Sequence, residues 1–396
     1  MTDPILRSTN DQIARMYDLV PWQESSVPWL DLDWLLGVSR LYGVGQEVRD
    51  VLDLGCGGNT DLLQIATQVN GRLVGVDISA KSCAIARESL APFASRTTIH
   101  CADLLTLDAA ELGEFDLIYL MGVLYVSPPE VLGRLVTIIN RCLRPGGLVV
   151  MSYYVGPTSL VRAGLYYTLR AVTAGIANAA TAIATARQTL GTLRASLAGS
   201  GDHASLMLTV IDEITAISDA TLFHEVFNPS FRALQTTHLQ QLLAPQGVQF
   251  LSYLWPTTAS FAPTSAARAL VADRDDFAAG GYRHALFGRR SGALTPDPRA
   301  PGIRWNSSIV RADAPVAVDG AVTYRSTFDA TTVTIHRQFT QAVLDQLVGE
   351  DLSWVEAEAR AMATGIAAAD DPELQALVAK DACDLWLLGL IRPLAC

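Results

Sequence analysis

Apolar and polar positions alternate in blocks along the first part of the chain. Val51-Leu52-Asp53-Leu54 is an apolar run broken by one acid, and the glycine-rich stretch Gly55-Cys56-Gly57-Gly58-Asn59 follows it. Helical patterning is expected over residues 61–69 and 80–90, with strands at 73–76 and 97–102 between and after them. Phe115-Asp116-Leu117-Ile118-Tyr119-Leu120-Met121 reads as a fourth strand. In residues 130–143, Val131, Leu135, Ile138, Ile139 and Cys142 fall on one helical face. Arg144-Pro145-Gly146-Gly147 is a stop signal, and Leu148-Val149-Val150-Met151-Ser152 is a fifth strand. Apolar strands alternating with amphipathic helices imply a parallel sheet covered on both faces.

The flanks differ. Residues 16–29 hold two prolines and two tryptophans, which suggests an ordered arm without regular structure; residues 34–42 read as a short helix. Residues 157–220 are rich in Ala, Leu and Thr and read as helices. The uncharged run 171–186, flanked by Arg170 and Arg187, falls short of the ~20 apolar residues a bilayer requires and is expected to be one packed helix. A helix at 238–243 and strands at 248–254 and 282–289 then resume the alternation. Three prolines and one glycine make 291–301 a linker. The chain closes on Leu385-Trp386-Leu387-Leu388-Gly389-Leu390-Ile391, an apolar cluster that needs a partner surface. The expected units are an arm or lid (1–45), a nucleotide-type core (46–156), a helical insertion (157–220), a completion of the core domain (221–290) and a C-terminal domain (300–396).

A length of 396 residues fits two or three domains, and 50% apolar content allows a sizeable core. A net charge of −11 argues against a nucleic-acid partner and permits a cationic substrate. The six cysteines show no metal-ligand spacing, and the N-terminus shows no signal-type run, so a reducing, cytoplasmic setting without membrane association is expected. A homodimer is compatible with the sequence.

The chemistry begins at the glycine turn. A strand entering such a turn places a nucleotide at the carboxyl edge of the sheet. The dinucleotide fingerprint requires a third glycine, but Thr60 stands there. Asp53 just ahead of the turn is unhelpful to a pyrophosphate, which is drawn to backbone N–H groups. S-adenosylmethionine carries a sulfonium and an ammonium, which an acid favours. Asp77 ends the second strand, twenty residues beyond Gly57, where it can accept from both ribose hydroxyls. Asp103 follows the third strand and can accept from the adenine amino group. Asp53, Gly55, Gly57, Asp77, Ile78, Asp103, Leu104 and Met121 are therefore the expected cofactor-binding residues.

The stretch 46–156 resembles class I S-adenosylmethionine-dependent methyltransferases, through Val51–Asn59, Val74-Gly75-Val76-Asp77-Ile78-Ser79, Cys101-Ala102-Asp103-Leu104 and Leu143 to Tyr154. A narrower resemblance is to members carrying a methyltransferase regulatory domain, among them rickettsial protein-lysine methyltransferases. Tyr17-Asp18-Leu19-Val20-Pro21-Trp22 is similar to that group's arm, Leu222 to Pro229 to its histidine-bearing segment, and the cluster at 385–391 to its last helix. The resemblance implies a Rossmann-like sheet, a helical insertion and a small, mostly helical C-terminal domain. The group's motifs after strands four and five depart here, at Met121-Gly122-Val123-Leu124-Tyr125-Val126-Ser127-Pro128 and after Ser152.

Methyl transfer requires an aligned nucleophile and exclusion of water. Tyr17, Tyr125, Tyr153 and Tyr154 are candidates to line an acceptor pocket, since aromatic faces attract ammonium groups. His224, followed by Glu225, is the candidate general base. The expected reaction is in-line methyl transfer to an amine of a protein or peptide, lysine foremost. A natural-product N-, O- or C-methyltransferase and a cofactor-binding regulatory protein without turnover are the alternatives.

Overall fold

In a computed structural model the described residues are 4–22, 31–45, 47–58, 61–254, 264–279, 281–290, 296–301, 303–307, 309–311, 322–326, 332–335, 338–348, 350–363, 372–387 and 391–395. Two helices, α1 (Pro4–Leu19) and α2 (Leu32–Leu41), precede the sheet. The alternation then runs β1 (Val51–Leu54), α3 (Asp61–Ala66), β2 (Leu73–Asp77), α4 (Ala80–Ser89), β3 (Thr97–Cys101), β4 (Phe115–Leu120), α5 (Pro129–Cys142) and β5 (Leu143–Val155). Helices α6 (Gly156–Thr173), α7 (Ala179–Leu197), α8 (Asp202–Ala216) and α9 (Asp219–Val226) form the insertion. The sheet is completed by α10 (Thr236–Leu243), β6 (Val248–Tyr253), α11 (Ser265–Ala279) and β7 (Gly281–Arg289).

The seven strands lie in the order β3-β2-β1-β4-β5-β7-β6. The first five are parallel, and β7 runs antiparallel between β5 and β6. The reversal carries the carboxyl end of β5 opposite the start of β7, so Tyr154 pairs in register with Tyr282. Burial follows the apolar runs: β1 is buried throughout, and on α5 the buried residues are Val131, Leu135, Ile138, Ile139 and Cys142.

Three sequence expectations are corrected. Met16 to Leu19 lies in the last turn of α1 and is not irregular. The helix stops before Pro21, because the residue ahead of a proline is driven from helical geometry. The run 171–186 is not one helix: α6 ends at Thr173, Gly175 takes φ +84°, and the Asn178 side chain caps α7. Leu143 begins a strand that runs through the Pro145-Gly146-Gly147 stop signal, with Gly146 at φ +77°.

Beyond the sheet come β8 (Ile303–Ser307), β9 (Ile309–Arg311), β10 (Val322–Ser326), β11 (Thr332–Ile335), α12 (Gln338–Leu347), α13 (Trp354–Ala363), α14 (Pro372–Leu387) and β12 (Ile391–Ala395). The small sheets β11-β10-β9 and β12-β8 were not legible in the sequence pattern. Trp305, Trp354 and Trp386 are buried in one apolar cluster with Leu35, Val38 and Leu41 of α2 and with Leu148 and Leu286 of the main sheet. Leu385, Trp386 and Ile391 thereby find the partner surface the closing cluster requires. Residues 388–390 lie outside the described residues, as do 23–30 of the arm and 291–295 of the linker. Among the described residues no helix is long and apolar enough to cross a membrane.

Candidate active site

The turn after β1 is fixed by backbone geometry. Gly55 sits at φ +83° and Gly57 at φ +59°, in the left-handed region that L side chains rarely adopt. A Cβ at Gly55 would stand 2.3 Å from Val123 Cγ2. The N–H groups of Gly55 and Cys56 both donate to the Val76 carbonyl, at 2.7 and 3.0 Å. Asp77 closes the turn from β2: Oδ2 accepts the Gly57 N–H and Oδ1 accepts the Ser79 N–H, both at 2.8 Å. Each oxygen keeps a lone pair, the arrangement that two vicinal hydroxyls require.

The turn opens into a cavity of about 320 Å³ over the carboxyl ends of β1 to β5. All the expected cofactor residues line it: Asp53, Gly55, Gly57, Asp77, Ile78, Asp103, Leu104 and Met121. So do Tyr17, Tyr125 and His224. Among the described residues five carboxylates face the space, those of Asp53, Asp61, Asp77, Asp103 and Glu225, and the lining includes no Arg or Lys. Asp53 is 2% exposed, and burial, then the charges of Asp61 and Asp77, push its carboxyl well above the ordinary value. Burial likewise raises Asp77, against the pull of the Ser79 and Gly57 N–H bonds. Carboxylates crowded in a dry cavity favour a cationic guest, which offsets their mutual repulsion. That donor set fits S-adenosylmethionine, which carries a sulfonium and an ammonium.

Helix α1 lies across this cavity and is latched to it. Asn10 Nδ2 donates to both oxygens of Asp103 at 2.9 Å, beside the Leu105 N–H on Oδ1. Asp18 Oδ1 accepts from Ser79 Oγ at 2.6 Å and from the Lys81 N–H at 3.1 Å, and these two bonds hold its carboxyl below the ordinary value. The Gly58 N–H donates to the Trp22 carbonyl at 2.8 Å. His224 Nε2 donates to the Val20 carbonyl at 2.6 Å, while its ring stacks on Tyr17 at 4.1 Å and 10°. That carbonyl fixes the proton on Nε2, so this nitrogen serves as an arm anchor.

A wall of aromatic rings closes the other end. Tyr125 stands edge-on to Tyr154 at 4.9 Å and to Tyr282 at 5.6 Å, and Tyr154 lies 4.9 Å from Tyr282. Phe231 backs Tyr125, Tyr154 and Tyr166. Glu225, 3% exposed, accepts from Tyr154 Oη at 2.9 Å and from Tyr166 Oη, with Arg162 at 3.8 Å. Burial raises its carboxyl above the ordinary value, opposed by Arg162. Burial also raises the phenols: Tyr282 is pushed up to about 12, and Tyr17 and Tyr125 are raised too, so all three stay neutral near pH 7.

Tyr153 is corrected. Strand residues alternate in direction, so while Tyr154 faces the cavity, Tyr153 points the opposite way and bonds to Thr236 Oγ1 at 2.9 Å. Sequence reasoning missed Asn10, Asp61, Tyr119 and Tyr282. Asp61 reads as a helix-start acid, yet Tyr119 Oη donates to it at 3.3 Å inside the cavity. Tyr282 bonds to Ser152 Oγ at 2.5 Å across 130 residues of chain, and only strand reversal brings them together.

The sheet order with its reversed seventh strand, and one acid at each of three consecutive strand ends, define a class I S-adenosylmethionine-dependent methyltransferase domain. Residues 51–147 match the family model described as a methyltransferase domain. Over 94% of this chain and 76% of the other, the fold superposes on PKMT2 from Rickettsia typhi with a TM-score of 0.73 and 16% identity. In sequence, the chain is 28% identical over 142 residues to an uncharacterized protein, RP028, of Rickettsia prowazekii (strain Madrid E), covering 35% of this chain and 56% of that one. It is 31% identical to a ubiquinone biosynthesis O-methyltransferase of Aromatoleum aromaticum, covering 31% of this chain and 49% of the relative. The chain thus spans about half the length of the curated relatives it matches.

Proposed function

We propose that the protein transfers a methyl group from S-adenosylmethionine to an acceptor amine of a protein or peptide, with lysine as the side chain. One observation carries this reading: among the described residues the cavity lining combines five carboxylates with a tyrosine wall and includes no Arg or Lys. An ammonium, before or after methylation, is favoured by aromatic faces and by nearby negative charge. PKMT2 from Rickettsia typhi, which shares the fold, has also been solved in complex with AdoHcy, with a TM-score of 0.70 to this chain.

The bound cofactor supplies an electrophilic methyl on a sulfonium. The chain's own residues do the rest. Asp53, Asp61, Asp77 and Asp103 hold the cofactor, with Ile78, Leu104 and Met121 as apolar walls. Helix α1 and Trp22 cover the cavity and exclude water. Tyr17, Tyr125, Tyr154 and Tyr282 orient the amine. Glu225 favours its approach, and His224 keeps the arm in place over the site. A role for His224 as proton acceptor would fall to Nδ1.

Methyl-labelled S-adenosylmethionine is incubated with the protein and a cell lysate, which is then separated into protein and small-molecule fractions. Label on lysine in hydrolysed protein is the expected result. Label confined to small molecules would replace this reading with a natural-product methyltransferase, and no transfer to either fraction with intact S-adenosylhomocysteine binding would favour a regulatory cofactor binder. His224→Ala is expected to lose cofactor affinity along with turnover. Normal affinity with lost turnover would return His224 to the role of base.

A further inference from the structure

We propose that Arg232 is the acceptor-recognition residue, taking a carboxylate of the methyl acceptor, so that the favoured acceptor is a lysine flanked by Asp or Glu. The inference rests on the amine-acceptor reading above. Residues 231–234 are stitched along the aromatic wall. The Arg232 N–H donates to the Tyr125 carbonyl at 2.9 Å, and the Leu234 N–H donates to the Tyr154 carbonyl at 2.8 Å. Between them and Tyr166, the Phe231 ring packs on Tyr125 and Tyr154.

The Arg232 guanidinium is anomalous in this setting. Its Nη1 and Nη2 are both buried and have no hydrogen-bond partner among the described residues. Glu130 lies within Coulombic reach, but burial outweighs it and lowers the guanidinium's pKa. In the same segment, the fully buried Asn228 leaves its Nδ2 without a partner among the described residues. A buried guanidinium without hydrogen bonds is costly to the fold, and an anion bound to it offsets that cost. Other buried arginines here are bonded: Arg162 to Glu213 at 2.7 Å, and Arg268 to the Phe250 carbonyl at 3.0 Å. A guanidinium presents a planar fork that matches a carboxylate in two parallel bonds. Because the cavity lining includes no Arg or Lys among the described residues, the acceptor's amine and its carboxylate are drawn to different places. The acids and rings take the ammonium, and Arg232, whose backbone is bonded to the wall at Tyr125, takes the negative charge.

The test has two arms on the full chain. In the first, melting temperature is followed against glutarate, with chloride at matched ionic strength as control. The wild type is expected to melt higher as glutarate is added, by linkage to the folded state. Arg232→Met is expected to melt above the wild type without glutarate, since an unpaired buried charge has been removed, and to show no glutarate response. Arg232→Gln serves as a second variant of similar reach. No glutarate shift in the wild type, or an Arg232→Met protein that melts lower, overturns the proposal. In the second arm, lysine peptides flanked by Glu or by Gln are compared as acceptors. The Glu peptide is expected to have a kcat/KM on the order of tenfold higher in the wild type, with the preference gone in Arg232→Met. Equal use of the two peptides by the wild type also overturns it. A glutarate response without methylation of either peptide would leave the anion site standing and remove the amine-acceptor reading.

Discussion

Replacing Asp77 by Asn tests the cofactor assignment at its most constrained point. Both carboxylate oxygens are already used, Oδ2 by the Gly57 N–H and Oδ1 by the Ser79 N–H, each at 2.8 Å. Asn retains one oxygen and turns an NH2 group toward a backbone N–H. One charge-assisted bond is lost, about 1.5–3 kcal/mol. Burial already disfavours the charged carboxylate here, so removing the charge offsets part of that loss in the free protein. The cofactor side has no such offset. Two ribose hydroxyls on a carboxylate contribute about 3–6 kcal/mol together, of which one neutral bond of roughly 1 kcal/mol survives in the variant. The expected loss is about 2–5 kcal/mol, roughly 30-fold to a few thousandfold in Kd. Calorimetric titration with S-adenosylhomocysteine measures it, with near-ultraviolet circular dichroism to show an intact fold. A 2′-deoxy analogue completes a cycle: if Asp77 accepts from that hydroxyl, the two deletions are non-additive. Binding of the natural ligand within threefold of wild type, or strict additivity with the deoxy analogue, would refute the assignment.

Four further outcomes are expected. Gly55→Ala meets both a positive φ and Val123 Cγ2 at 2.3 Å, and is expected to destabilise by about 2–5 kcal/mol in urea unfolding; Val123→Ala in the same chain is expected to recover only part. Removal of residues 1–30 deletes the latches at Asn10, Asp18, Val20 and Trp22, and S-adenosylhomocysteine affinity is expected to fall at least about tenfold; unaltered affinity would rule out a lid. Burial raises the Asp53 carboxyl well above 3.8, so between that value and the raised one the folded chain holds a proton that the unfolded chain has released. Stability of the cofactor-free wild type therefore loses ground, relative to Asp53→Asn, as pH rises through that window; denaturation midpoints at pH 4.5 and 7 compare them. Glu225→Gln leaves Arg162 its bond to Glu213 and is expected to keep cofactor affinity while lowering peptide methylation about tenfold or more, as read from single-turnover rates.

The sequence determined which acids meet at the cavity because their positions are local. Asp53, Asp77 and Asp103 each sit at or just beyond the end of a strand, and consecutive parallel strands deliver such positions to one edge by topology alone. Gly55 and Gly57 were legible because only glycine accepts the backbone they adopt. The aromatic side of the cavity required the tertiary structure. Tyr282 reaches Ser152 only through a reversed strand, Asn10 reaches Asp103 only because α1 crosses the sheet edge, and Arg232 is conspicuous only once its Nη atoms are seen to lack a hydrogen-bond partner among the described residues. His224 illustrates the same division. Residue type marked it as an acid–base candidate, whereas the Val20 carbonyl, 204 positions away, decided which nitrogen carries the proton. Local spacing encodes what one strand and its turn present. Contacts between segments far apart in the chain depend on packing, and no periodicity in the sequence records them.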